Sequence, residues 1–210
     1  MTSKFGSPFL WISLVLSPAV IKAQDGGNSA NPIPEVLPRN EEVRLALSAS
    51  PVTLRDGAGV YALEENGFVL IRESTNGFTC IVNRDSPWNL KPVCYDAAGS
   101  EAILPVTVLF GRRLMQRVPV NEIRREIEEG FESGVYSAPS RPGVAYMLSN
   151  EIRNCRAADS CGTFPPHIMF YAPNMTNTDI GTSRELMQES SMFPFIAYQG
   201  PHGFMVVRIQ

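Results

Sequence analysis

Two Asn-Gly dipeptides, Asn66-Gly67 and Asn76-Gly77, each lie between short apolar runs, and that pattern constrains the fold more than any other feature of the chain. Asn and Gly tolerate the positive φ angles that a tight two-residue hairpin demands, so each dipeptide marks a point where a strand reverses on itself. Val60-Tyr61-Ala62-Leu63 and Phe68-Val69-Leu70-Ile71-Arg72-Glu73 flank the first, and Phe78-Thr79-Cys80-Ile81-Val82 follows the second. Three antiparallel strands in a meander are expected. A further hairpin through Gly200-Pro201-His202-Gly203 joins residues 195–198 to 204–209, and residues 143–148 and 167–171 read as strands between prolines and polar loops.

Helical periodicity is confined to a few stretches. Asn40 followed by Glu41 and Glu42 resembles an N-cap with acids in the first turn, and Ser50-Pro51 ends that short helix. Residues 103–117 and 120–131 are expected as two longer helices. In the second, Ile123, Ile127 and Phe131 recur on one face, with Pro119 before them and Gly130 and Gly134 at the exit. The expected fold class is α+β: an antiparallel sheet of hairpins and meander with two or three helices on one face.

The start of the chain indicates export. Residues 1–8 hold one lysine and no acid, residues 9–21 are almost wholly apolar, and Ile21-Lys22-Ala23 puts a small residue at the cleavage position. Thirteen such residues in a helix rise about 20 Å, short of a hydrocarbon core of roughly 30 Å. Residues 1–23 are therefore read as a signal peptide, leaving no stable membrane anchor after cleavage. Residues 24–39, rich in Gly, Asn and Pro, read as a flexible linker, and residues 40–210 as a single α+β domain. An apolar fraction of 44% argues against disorder, and a net charge of -3 gives no general attraction for nucleic acid.

Four cysteines fall as two near pairs, Cys80 with Cys94 and Cys155 with Cys161. Three pairings are formally open. The local one closes modest loops before any long-range assembly, so Cys80–Cys94 and Cys155–Cys161 are expected as disulfides in an oxidising compartment. Neither pair has zinc-finger spacing.

The strings ALSASP (46–51) with Leu54 and Asp56, TNGFTC (75–80), PVCYD (92–96), RPGVAYMLS (141–149) and PPHIMFYAP (165–173) with DIG (179–181) together span most of residues 43–209. In these the chain resembles a group of uncharacterised exported bacterial proteins. The resemblance implies a bacterial host and a periplasmic or extracellular location. It implies no activity, ligand or residue role.

Chemistry-bearing residues are sparse. The two histidines, His167 and His202, each follow a proline, and no spacing sets two imidazoles on one face, so no metal and no cofactor is expected. There is no Gly-x-Ser-x-Gly elbow and no glycine-rich loop before a helix. Strand alternation sends Ile168 and Phe170 to one face and His167, Met169 and Tyr171 to the other, and the loop that follows carries Asn174, Asn177 and Asp179. His167, Tyr171, Asn174, Asn177 and Asp179 are thus the candidate binding residues, in an aromatic-walled polar pocket. Two function classes follow. One is a non-catalytic exported module for an unknown small molecule, envelope component or partner, using the surroundings of Tyr171 and Tyr198. The other is a hydrolase of unrecognised type using His167 with a nearby carboxylate, Asp179 or Glu73. The shortage of convergent titratable groups favours the first.

Overall fold

Alternating β-branched and aromatic residues build the strands, and glycine sets where they reverse. The computed structural model describes Met1, residues 31–190 and residues 192–209. β1 (Gly59–Glu64) and β2 (Gly67–Arg72) pair antiparallel, with Glu64 opposite Gly67. Glu65 and Asn66 form the tip, neither at positive φ, while Gly67 takes φ 117°. The reversal is concentrated at the one residue without a Cβ.

The expected meander does not continue. β3 (Thr79–Asn83) pairs with β1, in parallel, and not with β2. The chain leaving β2 crosses the start of β1: Thr75 N donates to Gly57 O at 2.8 Å, and Gly59 N donates to Phe78 O at 2.8 Å. Asn76 uses its side chain here instead of supplying a hairpin turn, donating to Leu54 O at 2.8 Å and accepting from Phe78 N at 3.0 Å. These bonds bring β3 into the sheet from the same end as β1.

From β3 onward every pairing is antiparallel. β4 (Lys91–Tyr95), β5 (Val144–Met147), β8 (His167–Tyr171), β9 (Phe195–Tyr198) and β10 (Phe204–Arg208) complete an eight-stranded sheet of order β2-β1-β3-β4-β5-β8-β10-β9. The Gly200-Pro201 hairpin joins β9 to β10 as the sequence indicates. β6 (Asn154–Ala157) and β7 (Ser160–Gly162) form a separate small hairpin. Both disulfides have the local pairing. Cys80 faces Cys94 across β3 and β4, and Cys155 faces Cys161 across β6 and β7.

Helices cover both faces of the sheet. α1 (Arg39–Ser48) starts one residue before the expected cap, with Pro38 at its N-terminus, and buries Leu45 and Ala46 against Val60, Cys80, Val82 and Cys94. On the other face, α3 (Leu104–Met115) is the helix expected over 103–117, and a short helix that the periodicity does not mark, α2 (Ala97–Ala102), precedes it. Asp96 caps α2, accepting from Gly99 N at 3.0 Å, and Pro105 in the first turn of α3 starts a new helix after Ile103. Their apolar side meets Ile81, Val93, Tyr95, Ala145, Met147 and Met169. Gly111 of α3 lies against Phe68, where a Cβ would come within 2.3 Å of the ring. α4 (Val120–Glu132) packs on α3 through Ile123 and Ile127, and Arg113 clasps Glu126 with bonds of 2.8 and 2.6 Å. A fifth helix, α5 (Arg184–Glu189), precedes β9 and had no counterpart in the periodicity.

The signal segment, residues 1–23, lies outside the described residues apart from Met1. Residues 31–38, expected as part of the linker, lie against the domain. Pro34 is fully buried, Asn31 and Arg117 exchange two hydrogen bonds, and Arg153 pairs with Glu35 at 2.8 Å. Proline in an extended segment gives up little entropy on docking, which suits this stretch to lie in a groove. Among the described residues no helix is long and apolar enough to cross a membrane.

Candidate functional site

Between α3 and α4 on one side and strands β4, β5, β8, β9 and β10 on the other is a cavity of about 450 Å³. Its floor comes from alternate residues of neighbouring strands, because side chains two apart share a face. Met169 and Val206 lie side by side there, with Val93 and Met147 beyond them. The roof is Val106 and Phe110 of α3 and Ile127 of α4. Tyr95 is buried among these groups, its hydroxyl 3.1 Å from that of Thr107, and burial pushes its phenol up to about 12.

His167 stands at one end of the floor. Its Nδ1 lies 3.0 Å from Pro165 O, and since a carbonyl only accepts, Nδ1 carries the proton and Nε2 is the acceptor. Burial holds this imidazole below its ordinary value, the Pro165 bond opposes that shift, and Arg208, its cross-strand partner on β10, adds to it. His202 stands at the other end, in the β9–β10 turn. It stacks on Phe131 with ring centroids 4.9 Å apart and touches the Tyr198 ring at 4.6 Å. Its Nδ1 is buried without a hydrogen-bond partner, and burial lowers its pKa while Glu128 raises it.

Of the residues singled out in sequence, His167 lines the cavity, as does Tyr198. The strand alternation is as expected: His167, Met169 and Tyr171 are buried, and Phe170 is exposed on the other face. Yet Tyr171 lies at the far end of β8 and does not line the cavity. Its hydroxyl donates between Asp96 Oδ1 at 2.9 Å and Val144 O at 3.1 Å, and burial together with Asp96 raises its pKa. Asp96 also accepts from Val144 N at 2.9 Å, so this carboxylate ties α2, β5 and β8 together. A Cβ on Gly99 would sit 2.0 Å from the Tyr171 oxygen, which is why the third residue of α2 is glycine.

The loop after β8 is bonded to its own turn and to the β9–β10 region. Asn174, at φ 60°, donates its backbone N–H to Gly200 O at 2.8 Å. Asn177 Oδ1 accepts from Ile196 N at 2.7 Å. Asp179 accepts from Thr176 N and Oγ1 at 2.7 and 2.9 Å, bonds that hold its carboxyl below the usual range. All three side chains lie outside the cavity. The carboxylates considered for a hydrolase therefore do not meet His167. Asp179 is engaged by Thr176, and Glu73 follows β2, five strand spacings or roughly 24 Å from β8. Among the described residues no group of three His, Cys, Asp or Glu is placed to hold a metal ion.

Sequence reasoning missed His202, Arg124, Glu128 and Arg208 as lining residues. Arg208 could have been found by extending the β10 alternation from Phe204 and Val206. His202 could not, because its place depends on how the β9–β10 turn meets Phe131. The chain matches no family model, no curated protein and no solved structure.

Proposed function

We propose that this is an exported, non-catalytic binding protein that holds one small, largely apolar molecule between its sheet and helices α3 and α4. The observation that carries the reading is the cavity itself. At about 450 Å³ it lies within the span of small-molecule sites, roughly 300 to 1,000 Å³, and its walls are mainly aliphatic and aromatic. Water gains few hydrogen bonds in such a space, whereas an apolar guest recovers the dispersion contacts that the facing side chains lack. Among the described residues the imidazole hydrogen bond at the site, from His167 to Pro165, goes to a backbone carbonyl and not to a carboxylate that would orient a base. The apolar run over residues 9–21 and the two disulfides support export to an oxidising compartment.

A thermal-shift screen with small apolar compounds tests this. A ligand at about a hundred times its Kd adds about 2.7 kcal/mol to stability, enough to raise the Tm by several degrees. Val206→Phe, which fills the floor, should retain the fold and abolish the shift. A screen in which no compound moves the Tm, or shifts that survive in Val206→Phe, would contradict the reading.

A further inference from the structure

The buried polar side chains of the cavity lining are Tyr95, Thr107 and His167. Two of them bond each other. Thr107 Oγ1 donates to Ile103 O at 3.3 Å, so the Tyr95 hydroxyl, 3.1 Å from Thr107 Oγ1, is the donor of that contact and both protons are engaged. His167 engages its proton as well, on Pro165 O at 3.0 Å. What remains is Nε2, across the ring from Nδ1, a lone pair with no partner among the described residues. Burial holds this imidazole below its ordinary value, so at neutral pH the lone pair stays unprotonated. The charged side chains of the lining are less buried. Lys91 engages Asp85 at 2.7 Å, the Arg208 guanidinium lies 5.5 Å from the Phe195 ring centroid, and Arg124 and Glu128 are exposed one turn apart on α4.

We infer that the ligand is an uncharged hydroxyl compound, an apolar body ending in one O–H that donates to His167 Nε2. This rests on the binding reading above and names its ligand class. His167 pairs with Met147 across β8 and β5, and Met169, two residues along β8 on the same face, pairs with Val206 on β10. A hydroxyl at His167 therefore has an aliphatic floor beginning beside it. Phe110, Phe164 and Phe195 complete walls on which a ring or a chain can lie. An ether or ketone of the same size brings only an acceptor, and the buried polar groups have no donor left to meet it. An ionic head would give up its water against an uncharged ring, a loss that one such contact does not return.

4-Ethylphenol and 4-methylanisole, isomers that differ in whether the oxygen carries a proton, provide the test. By titration calorimetry at neutral pH the phenol should bind about fivefold more tightly than the ether, the scale of one net hydrogen bond. In His167→Leu the ratio should fall to about one or below, because the buried O–H then lacks its acceptor. A second measurement needs no variant: in native protein carrying isotope-labelled histidine, the Nε2 resonance of His167 should move toward the position of a hydrogen-bonded nitrogen on saturation with 4-ethylphenol and not with 4-methylanisole. Equal affinities in the native protein, a preference that persists in folded His167→Leu, or an Nε2 resonance that responds to both compounds alike overturns the hydroxyl assignment and leaves the cavity reading standing. Failure of both compounds to bind the folded protein at millimolar concentration overturns both.

Discussion

Arg84 donates to Glu42 at 2.8 Å with neither side chain reaching solvent. Glu42 belongs to α1 and Arg84 follows β3, so the pair docks α1 onto its face of the sheet. Arg84 also donates to Val82 O at 2.6 Å, while Glu42 Oε1 and Arg84 Nε have no partner. Burial pushes the Glu42 carboxyl up and the Arg84 guanidinium down, each opposed by its partner. Removing one member strands the other charge, so Arg84→Met should cost about 3 to 5 kcal/mol in urea unfolding. Glu42→Leu combined with Arg84→Met should recover most of that loss. Equal instability in the single and double variants would show that the pair has no such coupling.

Tyr171 and Asp96 join α2, β5 and β8 through their hydrogen bonds, outside the cavity lining. Tyr171→Phe should lower stability by about 2 kcal/mol, the scale of a hydrogen bond to a charged group. Ligand affinity should be unaltered, because the phenol lies outside the cavity. A variant of native stability with weakened binding would return Tyr171 to the site.

The two histidines make stability depend on pH with a definite sign. Both are held below the ordinary imidazole value by burial. In the interval between folded and unfolded values the unfolded chain binds more protons, so acid favours unfolding. Their contribution should be fully present above about pH 6.5 and lost as pH falls through the folded-state values. Denaturant titrations at stepped pH should show a smaller decline in His167→Gln/His202→Gln than in the native chain. An unchanged slope in the double variant would remove both groups from the account.

The disulfides should differ in their response to reductant. Cys80 and Cys94 are wholly buried under α1, whereas Cys161 is exposed at the β6–β7 hairpin. Mild thiol treatment of the folded protein should open Cys155–Cys161 first, as read by peptide mapping after alkylation. Replacing Cys80 and Cys94 by alanine should cost about 3 kcal/mol, from a closed loop of near 15 residues. Early alkylation of Cys80 in folded protein would contradict this order.

Local signals carried much of the fold, and long-range contacts decided the rest. Period-two alternation located β8 and set His167 and Met169 inward, since that depends on residues next to each other in sequence. Cysteine spacing gave both bridges. The parallel pairing of β1 and β3 was hidden, because Asn76-Gly77 suits a hairpin as well as the side-chain-bonded crossing that forms. Asn174, Asn177 and Asp179 are the residue types of a ligand loop and equally of a loop held by side-chain bonds to backbone; here Asp179 accepts from Thr176 N, Asn177 accepts from Ile196 N on β9, and Asn174 bonds through its backbone N–H. The cavity arises where the β9–β10 turn, α4 and β8 converge, and nothing in any one of those segments announces it.

Methionine methyl resonances test the central claim most directly, because Met147 and Met169 line the cavity while Met115, Met175, Met187, Met192 and Met205 do not. Titrating protein carrying isotope-labelled methionine methyls with a small apolar compound that raises the Tm should move the Met147 and Met169 signals along saturable curves of one common Kd and leave the other five in place. A saturating compound that leaves Met147 and Met169 unmoved, or that shifts all seven alike, would contradict a ligand held inside the cavity.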